Sequence, residues 1–290
     1  MSLASSELIL NSDGSIYHLG LLPEEIATTI ITVGDPNRVA TVSKYFDTIE
    51  VQKQKREFYT HTGSINGKRI TVIATGIGTD NIDIVLNELD ALVNIDFNKR
   101  IQKNTKTRLQ LIRIGTSGAI QPNIPIDSFV LSKQAVGLDG LLHFYDTNDT
   151  NNTVLEDKLK KHLNWESKHI TPYAFDADKA LSELFTSKKT VQGITVTNAG
   201  FYAPQGRALR LKPRLTNFHQ KLETFSYQET QITNLEMETA GIYGLAKLLG
   251  HYAVSLNAIL ANRSTGEFSK TPSKTTERLI MYCLEKISSN

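Results

Sequence analysis

Short apolar runs alternate with segments of helical period along nearly the whole chain. Ala27–Val33 (ATTIITV), Arg69–Ala74 (RITVIA), Leu109–Gly115 (LQLIRIG), Ser128–Val136, Val191–Thr197 and Val254–Ala261 have strand length and are predicted as strands. Arg38–Phe46, the stretch from Asp80 to about Val93, the stretch from Met237 to about Leu249, and Lys274–Ile287 carry their apolar residues at helical spacing and are predicted as helices. Strands alternating with helices predict an α/β fold: one domain over residues 1–290, with a central, mainly parallel or mixed β-sheet flanked by helices. No repeat, low-complexity tract or linker rich in Pro, Gly and Ser divides the chain. Two polar stretches, Asn94–Arg108 and Asp146–Thr153, are predicted as solvated surface loops.

Composition narrows the function classes. The chain has 290 residues, 40% hydrophobic, enough to bury a sizeable core. A net charge of +2 argues against nucleic acid as the main partner. The single cysteine, Cys283, makes no intrachain disulfide and no cysteine-rich metal site, which suggests a reducing compartment. The opening segment MSLASSELILNSDGSIYHLGL lacks a basic start followed by an apolar run, and no apolar stretch reaches the roughly 18 residues of a membrane span. A cytoplasmic protein without a membrane partner is expected.

Several segments carry chemistry. In Val33-Gly34-Asp35-Pro36-Asn37-Arg38 a strand ends at a glycine, which lets a ligand approach the backbone. Asp35 can cap the following helix and Pro36 suits its first position. The helix N-terminus and Arg38 make an anion site, although an ordinary capped helix with an exposed arginine fits equally well. Arg113 sits inside a strand that otherwise reads as buried, where an unpaired guanidinium is very costly. It needs an anionic partner, a protein carboxylate or a ligand. Gly115-Thr116-Ser117-Gly118 is predicted as a tight turn at that strand's C-terminal end, with Thr116 able to donate to the same anion. Ser117 is no hydrolase nucleophile, because the elbow needs Gly-x-Ser-x-Gly.

Asn234-Leu235-Glu236-Met237-Glu238 is predicted to open a helix, where acidic residues are common for dipole reasons alone. A carboxylate there can also accept from sugar hydroxyls while Met237 packs on the ring. Phe201-Tyr202-Ala203-Pro204-Gln205-Gly206-Arg207 is predicted as a loop. Phe201 can stack on a planar ring, Gln205 can both donate and accept, and Arg207 can donate. That pair matches the acceptor, donor, acceptor edge of uracil and mismatches cytosine. Thr75-Gly76-Ile77-Gly78 lacks the third glycine of a dinucleotide fingerprint, since Asn81 takes its place. His18 and Arg56 have no local meaning of their own.

In order along the chain, HLGL, GDPNR, REF, TGIG, RIGTSG, FYAPQGR, LEMET and the Asn262-Arg263 pair resemble the nucleoside phosphorylase family, specifically its hexameric uridine phosphorylase branch. The resemblance runs from about His18 to the final helix and implies a nucleoside phosphorylase-like fold. It implies phosphate held by Gly34, Arg38, Arg113 and Thr116, with Arg56 reaching in from a neighbouring subunit. It implies ribose held by Met237 and Glu238 with Glu236 nearby, and His18 of the neighbour at the 5′-hydroxyl. Phe201, Gln205 and Arg207 would hold the base, with Arg263 beside Arg207. Asn262 stands where purine phosphorylases usually carry an aspartate, which favours a pyrimidine. Asn81 departs from the serine usual after TGIG, which counts against the intersubunit potassium site that this loop and Glu57 would otherwise suggest.

The implied activity is reversible phosphorolysis of uridine to uracil and ribose 1-phosphate. Arg113, Gln205, Arg207 and Glu238 are the catalytic candidates, with no metal and no cofactor beyond phosphate as co-substrate, in a homo-oligomer of shared sites, a hexamer. A purine phosphorylase or a nucleosidase of the same fold, or a non-catalytic nucleoside-binding protein, are the alternatives.

Overall fold

The computed structural model describes residues 2–147, 150–165 and 170–289. Its strands are β1 (Thr29–Val33), β2 (Thr48–Lys55), β3 (Phe58–Ile65), β4 (Lys68–Ala74), β5 (Ile95–Asp96), β6 (Ile101–Gln102), β7 (Gln110–Ala119), β8 (Phe129–Gly137), β9 (Tyr173–Asp176), β10 (Thr190–Thr197), β11 (Ser226–Tyr227), β12 (Thr230–Glu236), β13 (Tyr252–Asn262) and β14 (Glu267–Phe268). Its α-helices are α1 (Pro36–Ser43), α2 (Thr79–Asn94), α3 (Thr153–Leu163), α4 (Lys179–Phe185), α5 (Phe218–Glu223), α6 (Thr239–Leu249) and α7 (Pro272–Ser288).

Among the described residues, twelve strands form one mixed sheet in the order β11-β12-β10-β8-β13-β7-β1-β4-β3-β2, with β9 on β8 and β14 on β13. β12 also pairs antiparallel with β7, Asn234 opposite Ala119 and Leu235 opposite Gly118. The run β12-β10-β8-β13-β7 therefore closes on itself, while β1, β4, β3 and β2 extend away from it. This is the α/β arrangement with a central mixed sheet and flanking helices that the alternation predicts.

Strand alternation sorts side chains between two cores. Ile30 and Leu111 enter a cluster with Leu86 and Leu89 of α2 and Ile242 and Leu245 of α6. Their successors Ile31 and Ile112 enter a second cluster with Val39 and Val42 of α1 and Leu279 and Cys283 of α7. Parallel strands covered on both faces are apolar almost throughout, which is why these runs were plain in the sequence. Arg113, two residues beyond Leu111, is directed to the same face as α6.

Three expectations need correction. Gly115–Gly118 is no turn: it continues β7, paired with β13 throughout. Glu236 is the last residue of β12, and α6 opens only at Thr239, with Glu238 as its N-cap. Asn94–Arg108 is not wholly irregular, since Ile95–Asp96 pairs with Ile101–Gln102. Within Asp146–Thr153, residues 148 and 149 lie outside the described residues, and Thr153 already belongs to α3.

Candidate active site

The C-terminal ends of β1, β7, β12 and β13 meet at one cleft of about 640 Å³. Gly34, Arg38, Arg113, Thr116, Phe201, Gln205, Arg207, Glu236, Met237 and Glu238 all line it. Residues from widely separated stretches are thus gathered at the C-terminal ends of the parallel strands β1, β7 and β13, where such folds bind ligands, with β12 crossing from the antiparallel side.

One end is cationic. Asp35 caps α1, its carboxylate accepting from the Asn37 N–H at 2.9 Å, and Pro36 occupies the first turn. Arg38, one turn in, donates to the Ile114 carbonyl at 3.2 Å and so lies against the edge of β7. Burial, then the charge of Arg113, lower its pKa below the ordinary arginine value. The two guanidiniums are thus close enough for their charges to oppose each other, which an anion bound at this end would relieve.

Arg113 is 6% exposed and has the carboxylate partners its position demands. It donates to Glu238 through Nη2, lies 3.2 Å from Glu236 Oε2, and donates through Nη1 to Asn257 Oδ1 at 2.9 Å. Burial opposes its charge, but Glu238 and Glu236 outweigh burial and raise its pKa. The protein-carboxylate and ligand explanations of Arg113 are therefore not exclusive: the carboxylates that pair with it line the same cleft.

Those carboxylates are themselves anchored. Glu236 accepts from the Thr197 hydroxyl at 2.5 Å, from the Glu238 and Thr239 N–H groups at 3.0 and 2.9 Å, and from the Thr239 hydroxyl at 2.9 Å. Burial raises its pKa although Arg113 pulls the other way. Glu238 accepts from the Gly78 N–H at 3.0 Å, tying the TGIG loop to the start of α6. Met237 lies between them on the cleft wall.

The opposite end is a loop. Gln205 is 2% exposed and sits in a short 3-10 turn, Ala203–Gln205, closed by Gly206 at φ 69°. Its Oε1 accepts from Arg207 Nη1 at 2.6 Å, and the same nitrogen donates to the Phe201 carbonyl at 2.7 Å. The Arg207 guanidinium stacks 3.8 Å above the Phe201 ring, a cation–π contact. Burial, then neighbouring Arg263, lower the Arg207 pKa. Arg263 donates to the Gln205 carbonyl at 3.3 Å, and His219 Nε2 bonds the same carbonyl at 2.6 Å. Arg263 therefore stands behind the loop and is absent from the cleft lining.

His18 and Arg56 are not brought to this chain's cleft. His18 Nδ1 lies 2.6 Å from Glu88 Oε1, and the His18 and Leu19 N–H groups donate to the same carboxylate. Arg56 is exposed at the β2–β3 turn, 5.7 Å from the centre of the Tyr17 ring, which meets His18 edge-on. The two residues thus share a second, separate surface.

The structure adds wall residues that sequence reasoning did not assign. Ile77, Ser117, Leu260, Ala261 and Phe268 line the cleft. The Ser117 hydroxyl accepts from Asn234 Nδ2 at 2.9 Å, so this serine is a wall hydroxyl and not a nucleophile. Ser117 and Ile77 lay within motifs the sequence showed; Leu260 and Ala261 read as ordinary strand residues, and Phe268 carried no signal. Asn262 is 2% exposed, donates to the Gln121 and Ile124 carbonyls at 2.9 and 2.8 Å, and accepts from the Ser264 and Thr265 N–H groups. Its amide is committed to a turn and is absent from the lining. Among the described residues, no group of three or more His, Cys, Asp and Glu is placed to hold a metal ion, and no helix is long and apolar enough to cross a membrane.

Comparison with known proteins places the chain among nucleoside phosphorylases along nearly its whole length. The family model described as the phosphorylase superfamily matches residues 28–285. A uridine phosphorylase of Thermococcus kodakarensis is 31% identical over 270 residues, 93% of this chain and 86% of that protein. A uridine phosphorylase of Haemophilus influenzae is 28% identical over 91% of this chain and 94% of its own length. Among solved structures, a Trypanosoma brucei nucleoside phosphorylase, described as showing uridine phosphorylase activity, superposes with a TM-score of 0.87 at 27% identity, covering 98% of this chain and 100% of that one.

Proposed function

The chain belongs to the phosphorylase superfamily, and from that premise we propose that it is a uridine phosphorylase, a pentosyltransferase that converts uridine and phosphate to uracil and ribose 1-phosphate in pyrimidine salvage. The observation that carries this reading is a single cleft with two arginines and a capped helix start at one end, carboxylates and Met237 between, and the Gln205–Arg207 pair at the other.

Phosphate binds against Gly34, the start of α1, Arg38, Arg113 and Thr116. Glu238 and Glu236 face the ribose hydroxyls, and Met237 packs on the ring. Gln205 Oε1 has two lone pairs; one takes Arg207 and the second is free for the uracil ring N–H. The Gln205 amide N–H and the Arg207 guanidinium then donate to the two carbonyls, where negative charge grows as the glycosidic bond breaks. The sugar becomes oxocarbenium-like, and phosphate attacks the anomeric carbon from the opposite face with inversion. Catalysis is positioning and preorganised electrostatics, with no covalent enzyme intermediate. Cytosine lacks the ring N–H and places an amino donor where uracil has its second carbonyl, leaving the second Gln205 lone pair and an Arg207 donor without partners, and is strongly rejected. Asn262, fully engaged in a turn, has no free group for a purine ring, which supports a pyrimidine.

The complete site needs a second copy of the one domain spanning 1–290. Arg56 and His18, grouped around Tyr17 on an exposed surface, supply the neighbour's phosphate site and ribose 5′-hydroxyl, in a hexamer of such pairs in the cytoplasm. A potassium ion at that interface is a poor fit to this chain. Asn81 stands in place of the serine that the resemblance leads one to expect in this loop, and no step of the reaction passes through an ion there.

The test follows uridine loss by ultraviolet absorbance with and without inorganic phosphate, beside a parallel inosine reaction. Phosphate-dependent release of uracil with inosine untouched is the expected result. Cleavage without phosphate would instead mark a nucleosidase, inosine cleavage a purine phosphorylase, and no cleavage of either a binding protein.

A further inference from the structure

Arg113 needs more than a counter-charge; it needs a defined plane. β7 and β13 run parallel with Arg113 beside Ser255 and Gly115 beside Asn257. The guanidinium folds back along its own strand over Gly115. A Cβ on Gly115 would lie 1.8 Å from Arg113 Nη1 and 2.6 Å from Asn257 Oδ1, so only glycine leaves that space. Nη1 then meets Asn257 Oδ1 at 2.9 Å, while Nη2 faces Glu238 and Glu236. Asn257 is completely buried and does not line the cleft. Its Nδ2 donates to Ser255 Oγ at 3.4 Å, Ser255 Oγ is 2.9 Å from Thr239 Oγ1, and Thr239 Oγ1 donates to Glu236 at 2.9 Å. Arg113, Asn257, Ser255, Thr239 and Glu236 thus close a buried polar ring, with both ends of the guanidinium held.

We propose that Asn257 is a positioning residue for phosphate, holding the Arg113 guanidinium with an acceptor that carries no charge. This rests on the reading of the cleft as a phosphate site. The local charge explains the choice of residue. Arg38 and Arg113 are balanced by Glu236 and Glu238, so the cleft is near neutral before phosphate enters. A carboxylate in place of Asn257 would hold Nη1 at least as well, but would add a negative charge facing an incoming anion. An apolar residue of similar size would leave Nη1 buried without an acceptor. The amide oxygen satisfies the nitrogen without either penalty.

The experiment compares the intact protein with Asn257→Leu and Asn257→Asp. Inorganic phosphate affinity is read by calorimetry, KM for phosphate and for uridine by steady-state assay, and Tm for each protein. Asn257→Leu should weaken phosphate by about tenfold with uridine KM within about twofold. Asn257→Asp should weaken phosphate further still, with a Tm at or below that of the parent because the added carboxylate is buried beside Glu236 and Glu238. The Asp variant keeps a hydrogen-bond acceptor, so it reports even if the Leu variant does not fold. If Asn257 only fills space, Asn257→Leu lowers Tm and leaves phosphate affinity unchanged, and Asn257→Asp binds phosphate normally; either result overturns the proposal. A parent protein that binds no phosphate would overturn the reading of the cleft, whereas a parent that binds and two variants that bind equally well would overturn this inference alone.

Discussion

The two ends of the cleft are built by different means. At the end proposed to hold phosphate, Arg113 projects from the middle of a buried strand and is gripped by Glu236, Glu238 and Asn257, each itself hydrogen-bonded. At the end proposed to hold the base, Phe201 is 51% exposed, Gln205 sits in a single 3-10 turn, and the loop rests on His219 and Arg263 through one carbonyl. A strand with paired neighbours on both sides holds an ion to a fixed geometry. A loop held at one carbonyl can reshape around a base with little loss elsewhere. On the proposed reading, charge that must be desolvated is placed on the sheet and the choice of base on the loop.

The largest test of this division is Arg113→Ala. It leaves Glu236 and Glu238 buried without their counter-ion, which costs about 3–5 kcal/mol of stability, and phosphorolysis should be abolished. Near-normal turnover at saturating phosphate would refute the role, and denaturant titration would show whether the stability loss is real. Gln205→Ala is next: kcat/KM for uridine should fall by about 10²–10³, while phosphate affinity stays within about threefold. Equal losses in both would erase the distinction between the ends.

Arg207→Met sharpens the comparison by separating stability from activity. Arg207 is partly buried beside Arg263 with no carboxylate of its own among its hydrogen bonds. Its removal should raise stability by up to about 1 kcal/mol while uridine turnover falls, a pair of results readable from thermal melts and the absorbance assay. The corresponding substitution at the sheet end should never stabilise.

The smallest effect is a pH dependence confined to the loop. Burial, then Arg263, lower the pKa of His219, with Arg207 adding to the shift and Glu223 opposing it. His219 is thus held neutral in the fold. The unfolded chain takes up the proton first as pH falls from the ordinary histidine range, so the stability contributed by the neutral ring is present above that range and lost below it. Uridine KM should rise at the acid end in the parent and respond less in His219→Gln, with phosphate KM unmoved in both. A parallel rise in phosphate KM would show that the two ends are not independent.

Much of this was legible along the chain, for reasons that differ from residue to residue. β1, β4, β7 and β13 are covered on both faces, so their apolar runs announced them. β2, TIEVQKQK, is an edge strand exposed along most of its length, and its polar sequence hid it. Arg113 stood out because a cation inside an apolar run demands a partner, and Asp35-Pro36 marked the start of α1 through capping chemistry that is entirely local.

Other assignments depended on register. Gly115 read as a turn residue, because glycine's local signature is conformational freedom; its actual role is to make room for a guanidinium from its own strand beside Asn257 on the next. Glu236 read as the start of a helix, yet it ends β12 and faces Arg113 from 123 positions away in sequence. Periodicity, capping residues and a charge out of place are properties of neighbours within a few positions, and the chain alone determined those: the layered fold, the capped helix start before Arg38, and the need of Arg113 for an anion. Which carboxylates answer that need, which amide fixes its plane, and why His18 and Arg56 face away from this chain's own cleft were decided only when the sheet closed and set strands far apart in sequence in register.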